Sequence, residues 1–295
     1  MAHQKWLPLA ACMALGSTLP LLAGCNSGDS RSQTTGTSQA ITVEVNQSRD
    51  QYGKQAIQLQ LTNTTDSPLT VSSARLTSAL FDGDISWEPR ENLILPPGQP
   101  KSLPARLPAP TCGASTGSSA EPLRATLNFA GPGKDPGDAT MDASDPFGVL
   151  PRNAGELCLA ADAAAVATIV LAPELEVAPD GRTAVVRLLI TPAMAAGSPQ
   201  IMTIEGIDGS TLLAEPPTDP WPRNVAVSSG DPAKELALRI RPARCDPHAV
   251  AEDKVGTLLP LRVQVEGRQG LVKVPAPDQL RGRIYDFVTA ACVEG

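Results

Sequence analysis

Aromatic rings and imidazoles are what this chain has least of. Phe, Trp and Tyr make up 3 % of 295 residues, and His248 is the one histidine beyond the N-terminal segment. A core without rings is built from Val, Leu, Ile and Ala, which bury less area per residue and gain from covalent staples. A sugar-binding face needs several exposed rings. Trp87 and Trp221, each with a proline one or two residues on, read instead as structural corners that answer one another. With one histidine and no C-x-x-C, no zinc or copper site is expected, and Met141, Met194 and Met202 have no spacing that makes a copper cluster. Also missing are S-x-x-K, H-E-x-x-H and the phosphate-binding P-loop, so those chemistries are excluded and no cofactor is expected. Positive charge is in deficit: 24 Lys and Arg stand against 31 Asp and Glu. That balance excludes a general nucleic-acid binder, which needs excess cations to neutralise phosphate. Long apolar-periodic helices are few, and strands and helices do not alternate as in the two α/β lobes of a solute-binding protein.

What is present begins at the N-terminus. Lys5 precedes an apolar stretch from Leu7 to Leu22, with no acidic residue before Cys25. This is a signal-peptide layout; Pro8, Gly16 and Pro20 interrupt it as they would not a membrane anchor. Leu22-Ala23-Gly24-Cys25 closes it, followed by the polar run Asn26-Ser27-Gly28-Asp29-Ser30. The stretch resembles the lipobox of bacterial lipoproteins. That resemblance implies cleavage before Cys25, diacylglycerol on its thiol, and a mature chain held at the cell membrane on its extracytoplasmic side. Residues 1–24 are then the signal peptide, and 25–39, rich in Ser, Thr, Gly and Gln, a flexible tether reaching on the order of 20 Å.

From Ile41 the pattern changes. Ile41-Thr42-Val43-Glu44-Val45 and Ile57-Gln58-Leu59-Gln60-Leu61 alternate apolar and polar, the period of a strand with one face on a core. Twenty-nine Pro and 24 Gly punctuate short Val/Ile/Thr runs, which is the composition of many strands joined by turns. The stretch Ile57–Val71, a strand ending in Asn63, a polar loop and a further alternating strand, resembles bacterial immunoglobulin-like domains. The fold class expected is all-β: two tandem immunoglobulin-like sandwiches related by internal duplication.

The duplication is read from landmarks in a common order. Trp87 is answered by Trp221, Cys112 by Cys245, Pro122-Leu123-Arg124 by Pro260-Leu261-Arg262, and Cys158 by Cys292, with offsets of about 134 positions. This places the first domain at 40–160, a linker at 161–167 and the second domain at 168–295. Leu159–Val166, rich in Ala, suits either a short helix or the link. Discounting Cys12 in the signal and Cys25 at the lipid, four cysteines remain. If each repeat carries its own staple, the pairs are Cys112 with Cys158 and Cys245 with Cys292, spaced 46 and 47 positions apart. Loops of that length contribute roughly 4 kcal/mol each through the unfolded state.

Three patterns carry chemistry against blander readings. Gly113-Ala114-Ser115-Thr116-Gly117 fits the G-x-S-x-G nucleophile elbow, but lacks the strand before and helix after. A hydrolase using Ser115 with His248 as base is therefore the alternative to a non-catalytic reading. Asp135, Asp138, Asp142 and Asp145 crowd a Gly/Pro stretch without calcium-loop spacing. Arg239 and Arg241 share one strand face and would form an anion contact with Arg281 and Arg283 if those lay on a neighbouring strand. The function expected is a lipid-anchored envelope module, binding or structural, whose partner is a protein or an anionic polymer.

Overall fold

The computed structural model describes residues 39–52, 54–113, 122–195 and 197–293. The signal peptide, Cys25 and Ser115 lie outside the described residues.

In the first half the strands are β1 (Ile41–Asn46), β2 (Ala56–Asn63), β3 (Leu69–Thr77), β4 (Ile85–Trp87), β5 (Leu93–Leu95), β6 (Lys101–Arg106), β7 (Arg124–Ala130) and β8 (Gly137–Ser144), followed by helix α1 (Val149–Val166). β1 and β2 bury alternate residues, as their sequence period requires. One layer runs β1-β2-β6 and the other β8-β7-β3, with β4 and β5 both on the far edge of β3. A short parallel pairing of β1 with β8, Val43 opposite Ala143, joins the layers at one corner. Between them Ile41, Val43, Leu59 and Leu103 from one face meet Val71, Leu76, Leu127 and Met141 from the other.

The second half comprises β9 (Ala167–Leu171), β10 (Glu176–Val177), β11 (Ala184–Pro192), β12 (Ile201–Ile207), β13 (Leu213–Ala214), β14 (Val225–Ser228), β15 (Lys234–Pro242), the short helix α2 (Pro247–Ala251), β16 (Leu258–Val265), β17 (Arg268–Pro275) and helix α3 (Asp278–Val293). β11 pairs with β9, β10 and β15; β12 pairs with β14 and β16, and β16 with β17. The β16–β17 hairpin turns on Glu266 and Gly267, both at positive φ, the backbone that a tight two-residue connection needs. Leu188, Ile190 and Leu238 of one layer pack on Met202, Ile204 and Val263 of the other, and α3 closes the core with Leu280, Ile284, Phe287 and Val288.

The molecule is thus β-rich and sandwich-like, with one disulfide in each half: Cys112–Cys158 and Cys245–Cys292. The two halves also repeat the same pairings: β1·β2, β2·β6, β3·β7 and β7·β8 in the first correspond in order to β9·β11, β11·β15, β12·β16 and β16·β17 in the second.

Of the two readings of Leu159–Val166 the structure has the helix, and a longer one than those residues. Residues 161–167 are not a separate linker: they form the last turns of α1 and the first residue of β9. Leu159, Ala163 and Val166 belong to the second core, while Val149, Leu150 and Ala154 belong to the first, so one helix serves both. Asp145 starts it, its two carboxylate oxygens accepting from the Val149 and Leu150 amides at 2.7 and 2.8 Å. A carboxylate there satisfies orphan donors and meets the positive end of the helix dipole. The stretch read as a Gly/Asp/Pro loop contains a strand, β8, because alternation with β7 outweighs its turn-like composition.

The two tryptophans have different surroundings. Trp87 lies on β4 opposite Ala74, whereas Trp221 is buried in the loop before β14 and donates from Nε1 to the Arg239 carbonyl at 2.6 Å.

Candidate functional site

The residues singled out by sequence are scattered. His248 is exposed in the first turn of α2, where its amide donates to Asp246. Its sequence-assigned partner Ser115 is outside the described residues. The four aspartates do not converge. Asp138 accepts from Asn128 at 2.7 Å, Asp142 pairs with Arg124 at 3.0 Å, and Asp145 caps α1. These three carboxylates are engaged separately, and among the described residues the four form no cluster that could hold a metal ion.

The arginine stripe also dissolves. Arg281 and Arg283 lie on α3, a helix, not on a strand beside β15. Arg239 is ion-paired with Asp219 at 2.9 Å, Arg241 donates to the Glu215 and Pro242 carbonyls, and Arg281 pairs with Asp278 at 3.0 Å. Arg283 borders a different hollow of about 410 Å³, walled by Leu175, Val177, Phe287 and Ala290. The Arg239, Arg241 and Arg281 guanidiniums are spent on neighbouring groups of the chain.

A groove between the two halves collects the side chains that sequence reasoning did not. Ser48 and Gln51 form a capping box around a short 3-10 helix, Arg49–Gln51, and this fixes the position of Tyr52 just beyond it. Tyr52 stands where two hollows meet. One, of about 150 Å³, is bounded by Gln55, Asn153, Glu156, Leu271 and Lys273; the other, of about 330 Å³, by Ser210, Thr211, Val255 and Pro260. Leu258 and Lys273 border both.

Cations flank the ring: Lys273 Nζ is 5.3 Å and Arg152 Cζ 5.6 Å from its centroid, within the range of cation–π attraction. Lys273 also donates to Glu156 at 2.7 Å, and Arg152 and Asn153 both donate to Gln47. On the far wall Ser210 Oγ donates to the Gly256 carbonyl at 2.5 Å, and Thr211 donates to Asp253. Gly256 is required there, because a Cβ would lie 2.3 Å from Leu212 Cγ. Behind it Asp253 accepts from Tyr285 at 3.0 Å; burial, together with that carboxylate, pushes the Tyr285 phenol up to about 12. The groove is neither packed shut nor stripped of polar groups. Among the described residues it brings together an aromatic ring, paired cations, and hydroxyls of which one, on Thr211, is hydrogen-bonded to the Asp253 carboxylate.

Tyr52 and Lys273 are 221 positions apart, and no local pattern links them. The one available signal was scarcity, since Tyr52 is one of two tyrosines in the chain.

No protein-family model matches this chain, and no curated protein does. Solved structures to which it is similar include the exo-chitosanase CsxA of Amycolatopsis orientalis, at 12 % identity over 79 % of this chain and 26 % of that one, with a TM-score of 0.21. They also include the YadV chaperone, at 11 % identity over 80 % of this chain and 100 % of that one, TM-score 0.21. A third is the CsuC–CsuE chaperone–tip adhesion subunit complex of Acinetobacter baumannii, at 10 % identity over 80 % and 95 %, TM-score 0.18. This chain spans about a quarter of the chitosanase's length. At these scores the likenesses carry no argument about function.

Proposed function

We propose that the protein is a lipid-anchored, extracytoplasmic and non-catalytic module of the bacterial cell envelope, binding or structural, made of two duplicated immunoglobulin-like domains. The observation that carries the compartment is the pair of disulfides, one in each half, which persist in oxidising surroundings. Support for the domain type comes from the pairings. β1-β2-β6 against β3-β7-β8, and β9-β11-β15 against β12-β16-β17, follow the A-B-E and C-F-G division of an immunoglobulin sandwich. The staple departs from the antibody arrangement: each disulfide links the loop after the E-like strand to the helix after the G-like strand, not strand B to strand F. The groove at Tyr52 is the place offered to a partner.

Anchoring is tested by Cys25→Ala. Two acyl chains hold a protein in a bilayer at ~0.8 kcal/mol per CH₂, so the wild type is expected in the membrane fraction, incorporating labelled palmitate, and the variant in neither state. Equal partitioning of the two would overturn the anchor.

A further inference from the structure

The two disulfides look equivalent in the sequence, yet they do different work in the fold. Cys245–Cys292 lies wholly inside the second half, tying the loop after β15 to the end of α3. Cys112–Cys158 reaches α1, and α1 is the helix shared by both cores. The polar ties of that helix divide along its length. Arg152 and Asn153 donate to Gln47 of the first half. Glu156 and Asp162 take Lys273 and Arg268 of the second, at 2.7 and 2.8 Å. Leu157 still packs on the first core and Leu159 already lies in the second, so the handover occupies the turn Gly155–Leu159.

That turn opens with a glycine in mid-helix. Gly155 is exposed, and a Cβ on it would meet nothing within 4 Å, so packing does not demand it. A helical glycine lowers local stability relative to alanine. The helix is therefore weakest where it passes from one half to the other. Cys158, at the far side of this turn, is bonded to Cys112, and the backbone just before Cys112 is fastened to the first half through Thr111 N to Leu80 O and Asp82 N to Ala109 O.

We propose that α1 is a joint pivoting at Gly155, and that Cys112–Cys158 is the strap that fixes the angle between the halves and so the width of the groove at Tyr52, while Cys245–Cys292 is a local staple. The strap is covalent across the joint; Lys273 with the Tyr52 ring, a tie between the halves beside the groove, is a part-exposed contact that a change of angle exchanges for water.

The test compares two disulfide-free pairs, Cys112→Ser/Cys158→Ala and Cys245→Ser/Cys292→Ala, with the wild type, by solution X-ray scattering and backbone hydrogen exchange. The first pair is expected to enlarge the maximum dimension and to speed exchange at Glu156–Leu159 at least about three-fold more than at the β2 and β11 amides, which follow the loss of global stability that removing either bond brings. The second is expected to leave the maximum dimension at the wild-type value and to speed Glu156–Leu159 no more than β2 and β11. Equal behaviour of the two pairs overturns the proposal. If the first pair does not fold, Gly155→Ala in the otherwise intact protein decides: exchange at Glu156–Leu159 about three-fold slower supports the pivot, and unchanged exchange overturns it.

Discussion

Individual side chains settle whether a polar group inside this molecule stabilises or strains it. Asn63 is fully buried, and its amide is saturated: Nδ2 donates to the Ser67 and Leu95 carbonyls, and Oδ1 accepts from the Thr65 amide and hydroxyl. It locks the end of β2 to β5 and to the intervening turn. Tyr285 is the titrating counterpart. Its folded pKa is raised from 10.0 to about 12, first by burial and then by the hydrogen bond and charge of Asp253. The neutral phenol is therefore favoured by the fold. Its contribution is complete below pH 10 and lost as pH rises from about 10 through 12. Tyr285→Phe is expected to cost about 1–2 kcal/mol at pH 7 and to flatten the alkaline fall in stability, as followed by denaturant titrations at stepped pH. A fall equally steep in the variant would assign it to other groups.

Among elements, α1 has the largest consequences. Its first turn contains no acidic residue, so the N-terminal charge complement comes from Asp145 alone, four residues before Val149. Asp145→Ala is expected to destabilise by about 1 kcal/mol, read as a lower denaturant midpoint at unchanged slope; Asp145→Asn keeps an acceptor for one amide and should recover part of it. The strands β1, β2 and the start of β3 were legible, because period-2 alternation specifies which face is buried without knowledge of the partner. Of the helices, only the end of α1, Leu159–Val166, was offered as one of two readings; α2 and α3 were not read. Leu280, Ile284, Phe287 and Val288 do fall at helical spacing, so α3 carried a periodic signal that the turn-rich composition upstream obscured. α1 gave a weaker one. Its apolar positions serve two cores on different sides, and a helix buried from two directions has no single apolar stripe.

For the molecule as a whole, a helix shared between cores couples their unfolding. Losing the first core strips Val149, Leu150 and Ala154 of their contacts and leaves a helix of marginal length to hold Leu159, Ala163 and Val166 in the second. A single calorimetric transition is expected for the intact protein, with van't Hoff and calorimetric enthalpies agreeing. Two separated transitions in the wild type would mean that each half is stable without the shared helix.

The sequence by itself determined what depends on neighbours along the chain: the alternation of the strands, and the order of cysteines from which the two bonded pairs were read. Those patterns are local, or rest on a repeat, and need no partner to be recognised. The tertiary structure alone decided what depends on meetings across long separations. It put Tyr52 beside Lys273, spent Arg239 on Asp219, and made α1 common to two cores. The physical reason is the same in each case. Which exposed ring or charge acquires a neighbour is fixed by how whole layers pack, and a side chain's own segment carries no record of the surface it will face.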